Sequence, residues 1–225
     1  MCFNTTSSLS AFAIGLVCLI IMIQRKMFFF GMFYFFVIVM QLLEYFGHIA
    51  LEEENDVENN RVSSLILLLL FIQPVAFALS AGWVKFKDKS FQNLMGPVIA
   101  AFSLFFIGFY AYLTHTDTMR ISYLAGNCES SVCRLDWSFF KSNIFLSLIF
   151  LCFYFFLFMY TIDYFNLSRK FTESFGFLST LLALSIAYMI FVDKIHNAYR
   201  LLSGFGSIWC IMAVLVGPFV LFVSK

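Results

Sequence analysis

Seven long apolar runs, separated by short polar segments, dominate the pattern of this 225-residue chain. Most of the runs approach or exceed the roughly 20 residues that an α-helix needs to cross a bilayer. None shows the two-residue alternation of a barrel strand, and a helix satisfies its own backbone polar groups. The pattern therefore predicts an all-α, polytopic membrane protein. We expect a single seven-helix transmembrane domain over residues 1–225, with spans at about 9–23, 27–50, 62–83, 94–113, 139–165, 175–192 and 201–223.

The composition agrees with a chain that lies mostly in lipid. Hydrophobic residues make up 62% of the sequence and charged residues 12%, whereas soluble domains average about 25% charged residues. The 14 Lys and Arg residues nearly balance the 13 Asp and Glu residues and form no basic block, so nucleic-acid binding is not indicated. The lipid bilayer is the expected partner, and the expected localisation is integral and multi-pass.

The distribution of Lys and Arg predicts the orientation, because cytoplasmic loops carry an excess of these residues. With the N-terminus outside and the C-terminus cytoplasmic, eight Lys and Arg residues fall on the cytoplasmic side and six on the outer side. The eight are Arg25, Lys26, Lys85, Lys87, Lys89, Arg169, Lys170 and Lys225.

Polar residues recur at helical spacing along the second span. Tyr34, Gln41, Glu44 and His48 are separated by seven, three and four positions, which places them on one helix face. We call this set the polar stripe. Glu44 is the only carboxylate more than a turn inside a predicted span. At 1.5 Å per residue, Gln41 lies roughly 13 Å and Gln73 of the third span roughly 16 Å from the outer boundary, so these two side chains are predicted to meet.

Two interpretations of this polar cluster follow from membrane energetics. Polar side chains can hold helices together by hydrogen bonds worth about 0.6 kcal/mol on average. Ionisable groups in a membrane are costly and usually functional, however, so Glu44, Gln41, His48 and Gln73 are also candidates for a small-ligand, cation or proton site. Because burial disfavours the charged form of a carboxylate, we expect Glu44 to be mostly protonated.

Three functions are compatible with the sequence. The first is binding or conduction of a small ligand, cation or proton through the cluster around Glu44. The second is a structural or assembly role in a membrane. The third, an enzyme of membrane lipids, has less support, because hydrolase, zinc-protease and phosphate-loop motifs are absent from the sequence. No catalytic residue and no cofactor is predicted.

The cysteines and histidines give weaker signals. Cys128 and Cys133 lie in the long outer connection, where an oxidising compartment favours a disulfide; free thiols or metal ligands are the alternatives. His48, His115 and His196 all fall at predicted outer ends of spans, where they could sense pH or bind metal together with Glu44. They follow no zinc-ligand spacing, so no metal site is predicted.

Several short motifs carry a resemblance to a known family. They are the Met1-Cys2-Phe3 start followed by Ser8, Gln41-x-x-Glu44, Gln73-Pro74 and Trp209-Cys210. The chain resembles an uncharacterised family of seven-span proteins of large DNA viruses, algae and some bacteria, whose members typically begin Met-Cys-Trp. Phe3 departs from that start. The resemblance implies a seven-span fold and no particular activity, and it makes Cys2, Gln41, Glu44, Gln73, Pro74 and Trp209 part of the family pattern.

Overall fold

Helices account for most of the chain in the computed structural model, which describes residues 5–84, 89–123, 135–164, 183, 186–187, 190 and 214–222. Its elements are α1 (Thr5–Gln24), α2 (Phe28–Glu52), α3 (Asp56–Val84), α4 (Lys89–His115), β1 (Ile121–Tyr123), β2 (Leu135–Trp137), α5 (Phe139–Ser142) and α6 (Ile144–Tyr164). Residues 214–222 are also helical.

Five of the described helices, α1, α2, α3, α4 and α6, are long and apolar enough to cross a membrane. The chain is therefore a helical, multi-pass integral membrane protein. The predicted sixth span lies outside the described residues except for positions 183, 186–187 and 190, and the seventh is described only over 214–222.

α3 extends beyond its apolar stretch because a polar residue caps its start. α3 begins at Asp56, six residues before its predicted span. The Asn55 side-chain oxygen accepts a hydrogen bond from the Glu58 backbone N–H at 3.1 Å, which is the geometry of an N-cap. Asp56 and Glu58 also place negative charge at the positive end of the helix dipole. Hydropathy detects only the part of such a helix that lies in lipid.

The predicted fifth span is divided near its start. Phe139 begins the short helix α5, Asn143 is extended with φ −152° and ψ 104°, and α6 begins at Ile144. Asn143 caps α6, since its side-chain oxygen accepts the Leu146 N–H at 3.1 Å. Phe139 and Phe140 are buried against Trp137, so their hydrophobicity extended the predicted span to a point before the start of α6.

The connection between α4 and α5 contains a two-stranded antiparallel sheet, an element that the all-α prediction did not include. Ile121 pairs with Trp137 and Tyr123 with Leu135. The Asn59 side chain of α3 holds the first strand, because it donates to the Ile121 carbonyl at 2.9 Å and accepts from the Ile121 N–H at 3.0 Å. We call the end of the bundle that carries this sheet the hairpin end.

The helices pack through closely fitted aromatic rings. Phe102 of α4 contacts Phe71 of α3 and both Phe150 and Phe153 of α6, with ring centroids 4.9–5.4 Å apart. Phe158 of α6 stacks on α3 in the same manner. Much of the abundant phenylalanine therefore fills the space between helices.

The helical segment 214–222 runs antiparallel to α2. The Tyr34 hydroxyl donates to the Val214 carbonyl at 2.7 Å, and the Arg25 side chain donates to the Leu221 carbonyl at 3.1 Å. Arg25, which precedes α2, contacts the later residue Leu221, whereas Tyr34, which lies within α2, contacts the earlier residue Val214. The two helices therefore run in opposite directions. We call the end of the bundle near this contact the Arg25 end.

Candidate functional site

The polar stripe of α2 faces the interior of the bundle. Gln41 and Glu44 are 0% exposed, His48 is 1% exposed and Tyr34 is 2% exposed. The helical spacing of the sequence predicted this shared face, and the burial confirms it. Gln41, Glu44 and His48 each engage neighbouring groups.

Gln73 joins three helices. Its side-chain oxygen accepts a hydrogen bond from the Tyr154 hydroxyl of α6 at 2.7 Å, and its amide nitrogen donates to the Phe36 carbonyl of α2 at 3.5 Å. Phe36 lies five positions before Gln41 in α2, so the Gln73 amide is placed about one helical turn closer to the Arg25 end than Gln41. These bonds are the interhelical type that the structural interpretation describes.

Tyr34 is the residue of the polar stripe nearest the Arg25 end, and three helical segments meet there. Besides its bond to Val214, its hydroxyl lies near the Cys18 thiol of α1. Two glycines allow this close approach: a Cβ at Gly217 would overlap the Tyr34 ring, and a Cβ at Gly15 would overlap Ile38. The small residue at Gly15 thus lets α1 approach α2 closely.

The β-hairpin covers the stripe at its other limit. A Cβ at Gly47, next to His48, would overlap Ile121, so the first strand lies directly on this part of α2. The hairpin residues Ile121, Leu135 and Trp137 are themselves buried. The acidic group of β2 is also enclosed, since the Asp136 carboxylate, 3% exposed, pairs with Lys141. The sequence located this segment outside the predicted spans but did not predict that it would pack on α2 beside His48.

Ser8 of α1 is a further buried polar residue, and sequence reasoning did not predict its burial. The first span was expected to start at Leu9, whereas α1 starts at Thr5 and Ser8 is 0% exposed. The seven-residue spacing between Ser8 and Gly15 could have indicated this burial, because residues two turns apart share a helix face.

The remaining candidates are not drawn together. His115 is exposed at the end of α4 while His48 is buried, and His196, Cys128 and Cys133 lie outside the described residues, so the disulfide stays a prediction. Across the ranges that the structure describes, no three His, Cys, Asp or Glu side chains form a group that could hold a metal ion.

Comparison with known proteins adds no relative. The chain has no significant match to a protein-family model, a curated protein or a solved structure. Its likeness to the seven-span family of viruses, algae and bacteria remains a prediction.

Proposed function

We propose that this membrane protein has seven spans and binds a small cation or a proton at Glu44, enclosed by Gln41 and His48. The direction of segment 214–222 supports the span count. α6 runs parallel to α3, because Tyr154 meets Gln73 and Phe158 stacks on Phe77. Both helices therefore lead away from the hairpin end.

Segment 214–222 ends at that same Arg25 end. A chain that leaves α6 at this end and returns to it at Leu221 crosses the bundle an even number of times. The predicted spans 175–192 and 201–223, the second of which contains the segment, would supply two crossings. This parity agrees with seven spans. The Lys and Arg bias favours a cytoplasmic Arg25 end, which places the hairpin and the N-terminus outside.

The complete burial of Glu44 is the observation that carries the functional proposal. An ionised side chain at the centre of a transmembrane helix costs about 2.5–3.5 kcal/mol on insertion scales, and apolar residues could fill the same space. Glu44 shares its buried face with an amide at Gln41 and an imidazole at His48. Together these groups provide an acceptor for a proton or cation, and a second titratable group one turn nearer the hairpin.

The geometry favours an occluded site over an open pore. Glu44 and Gln41 present no exposed surface, and the hairpin packs on α2 beside His48. Exchange of a ligand with the outer side then requires movement of the hairpin or of the neighbouring helices. Conduction would proceed through such an opening, because a continuous aqueous path would leave these side chains exposed.

Glu44→Gln tests this proposal, because the amide keeps the shape and the hydrogen-bonding capacity of the carboxyl group while it removes the titratable charge. Thermal unfolding of the purified protein is followed in choline chloride and in salts of Li⁺, Na⁺, K⁺ and Ca²⁺, at several pH values. A ligand that binds only the folded state raises the unfolding temperature. We expect wild type to respond to a cation or to pH, and Glu44→Gln to fold without that response. Equal responses of the two proteins would contradict the proposal.

A structural or assembly role is the second candidate, and the bridge from Gln73 to Tyr154 and Phe36 favours it. This role predicts that Glu44→Gln changes neither ligand response nor activity in cells. An enzyme acting on membrane lipids has less support, because the enclosed Glu44 and His48 have no surface through which they could reach a headgroup.

A further inference from the structure

Ser8 of α1 is a buried polar group that the packing of the helices leaves unexplained. It is 0% exposed, and in the described part of the chain its hydroxyl oxygen has no hydrogen-bond partner. A buried hydroxyl without a partner destabilises the folded state, because it has lost its hydrogen bonds to water. Alanine would fill nearly the same volume without that loss of stability. Packing alone therefore does not explain the hydroxyl, and a binding role would.

Ser8 lies on the face of α1 that packs against α2. Ser8, Gly15 and Met22 are buried at intervals of seven residues, which places them on one face of α1. Gly15 identifies what that face contacts, because a Cβ there would overlap Ile38 of α2. Ser10, by contrast, is exposed on the other side of the helix.

Ser8 also lies at the depth of Glu44. α1 and α2 are antiparallel neighbours, with Gly15 opposite Ile38 and Leu19 beside Gly31. Ser8 is seven residues before Gly15, and seven residues after Ile38 in α2 comes Tyr45, which adjoins Glu44. The heights of Ser8 and Glu44 along the bundle therefore agree to within about two residue rises, roughly 3 Å.

We propose that Ser8 is a ligand of the Glu44 site and that the site takes a hard monovalent cation such as Na⁺ or Li⁺. This inference rests on the proposed function and deepens it. The ligands would be the Ser8 hydroxyl, the Gln41 amide oxygen and the Glu44 carboxylate, with α1 and α2 holding the ion between them. Hydroxyl, amide and carboxylate oxygens suit hard cations, whereas thiolates and imidazoles select transition metals.

The charge of this ligand set favours a monovalent ion. Ser8 and Gln41 are neutral ligands, and Glu44 contributes one negative charge, which compensates a single positive charge in the low-dielectric interior. A divalent ion would leave one buried charge to be compensated elsewhere, at the cost that any uncompensated buried charge carries. A proton competes for the same carboxylate, so lower pH is expected to weaken cation binding.

Ser8→Ala, compared with Ser10→Ala, tests the assignment. The full-length protein is purified in detergent, and its unfolding temperature is titrated with NaCl or LiCl against choline chloride at constant ionic strength. We expect Ser8→Ala to need about tenfold more cation for the same stabilisation, the loss typical of one neutral ligand. Ser10→Ala should respond as wild type does, and Glu44→Gln should lose the response. Ser8→Thr, which keeps the hydroxyl, should retain it and so separates ligation from misfolding.

The other outcomes distinguish the two proposals. If Glu44→Gln loses the cation response while Ser8→Ala keeps it, Glu44 binds a cation but the Ser8 assignment is overturned. If wild type responds to pH through Glu44 and to no cation, the site binds a proton and the assignment is likewise overturned. If neither response depends on Glu44, the proposed function and the Ser8 ligand both fail.

Discussion

At the scale of single residues, burial and small size decide how close the first two helices come. The side chain of Ile38 occupies the place where Gly15 would carry a Cβ, and Leu19 lies 3.6 Å from the corresponding position at Gly31. Lipid tails are as apolar as the helix surfaces, so the hydrophobic effect does not drive helices together in a membrane. Their association depends instead on such close approach of the backbones. The same contact sets the register that brings Ser8 level with Glu44.

We therefore predict that Gly15→Ala destabilises the bundle by about 1–3 kcal/mol, the usual cost of inserting a methyl group into a filled space. Unfolding in mixed micelles measures this change. Gly96→Ala is the matched control, because no atom lies within 4 Å of a Cβ at Gly96. That control should be neutral or gain up to about 1 kcal/mol from helix propensity. Equal effects at the two glycines would contradict the close α1–α2 contact.

At the scale of helices, one side-chain bridge joins α2, α3 and α6. Gln73 uses both ends of its amide, accepting from Tyr154 and donating to Phe36. We predict that a double-mutant cycle of Gln73→Leu and Tyr154→Phe gives a coupling energy of about 0.6 kcal/mol, with an upper bound near 1.7 kcal/mol. The measurement is the unfolding free energy of the four proteins.

The control cycle pairs Gln73→Leu with Tyr110→Phe. Tyr110 lies on α4 and is exposed, with its ring packed near Phe106, so its coupling to Gln73 should be close to zero. Coupling of similar size in the two cycles would mean that the bridge does not hold these helices together.

The sequence predicted helices better than it predicted their ends and contacts. Hydropathy located the apolar part of each described span, and the spacing of Gln41, Glu44 and His48 identified their common face. Hydropathy could not show that Asn55 and Asn143 start helices, because a cap depends on one side chain and not on a run. It also gave Gln73 a depth but no partner, since Tyr154 is 81 positions away.

At the scale of the whole molecule, the hairpin end and the Arg25 end differ in structure. The hairpin end carries a cap held by Asn59 and Ile121, and a surface ion pair joins Arg120 to Asp56 of α3. The Arg25 end gathers the α1–α2 connection and the last helical segment. The hairpin packs on α2 beside His48. Under the proposed function, a ligand that enters from this end would therefore require the hairpin to move.

The orientation gives a prediction at this scale. With the Arg25 end cytoplasmic, a tag placed after Lys225 should be protected from protease in sealed cells, and a tag inserted beside Asp56 should be cleaved. Permeabilised cells, in which both tags are cleaved, provide the control. Cleavage of the C-terminal tag alone in sealed cells would reverse the orientation and with it the side from which the Glu44 site is reached.

The central claim is that Glu44 exchanges a proton or a cation within an enclosed bundle, and infrared difference spectroscopy of its carboxyl group tests this claim most directly. Subtraction of the Glu44→Gln spectrum from the wild-type spectrum isolates the carbonyl stretch of this one protonated side chain. We predict that the band is present at neutral pH without a binding cation and is lost when Na⁺ or Li⁺ is added or when the pH is raised. A band that neither pH nor any cation alters would contradict the account and leave Glu44 as a structural hydrogen-bonding residue.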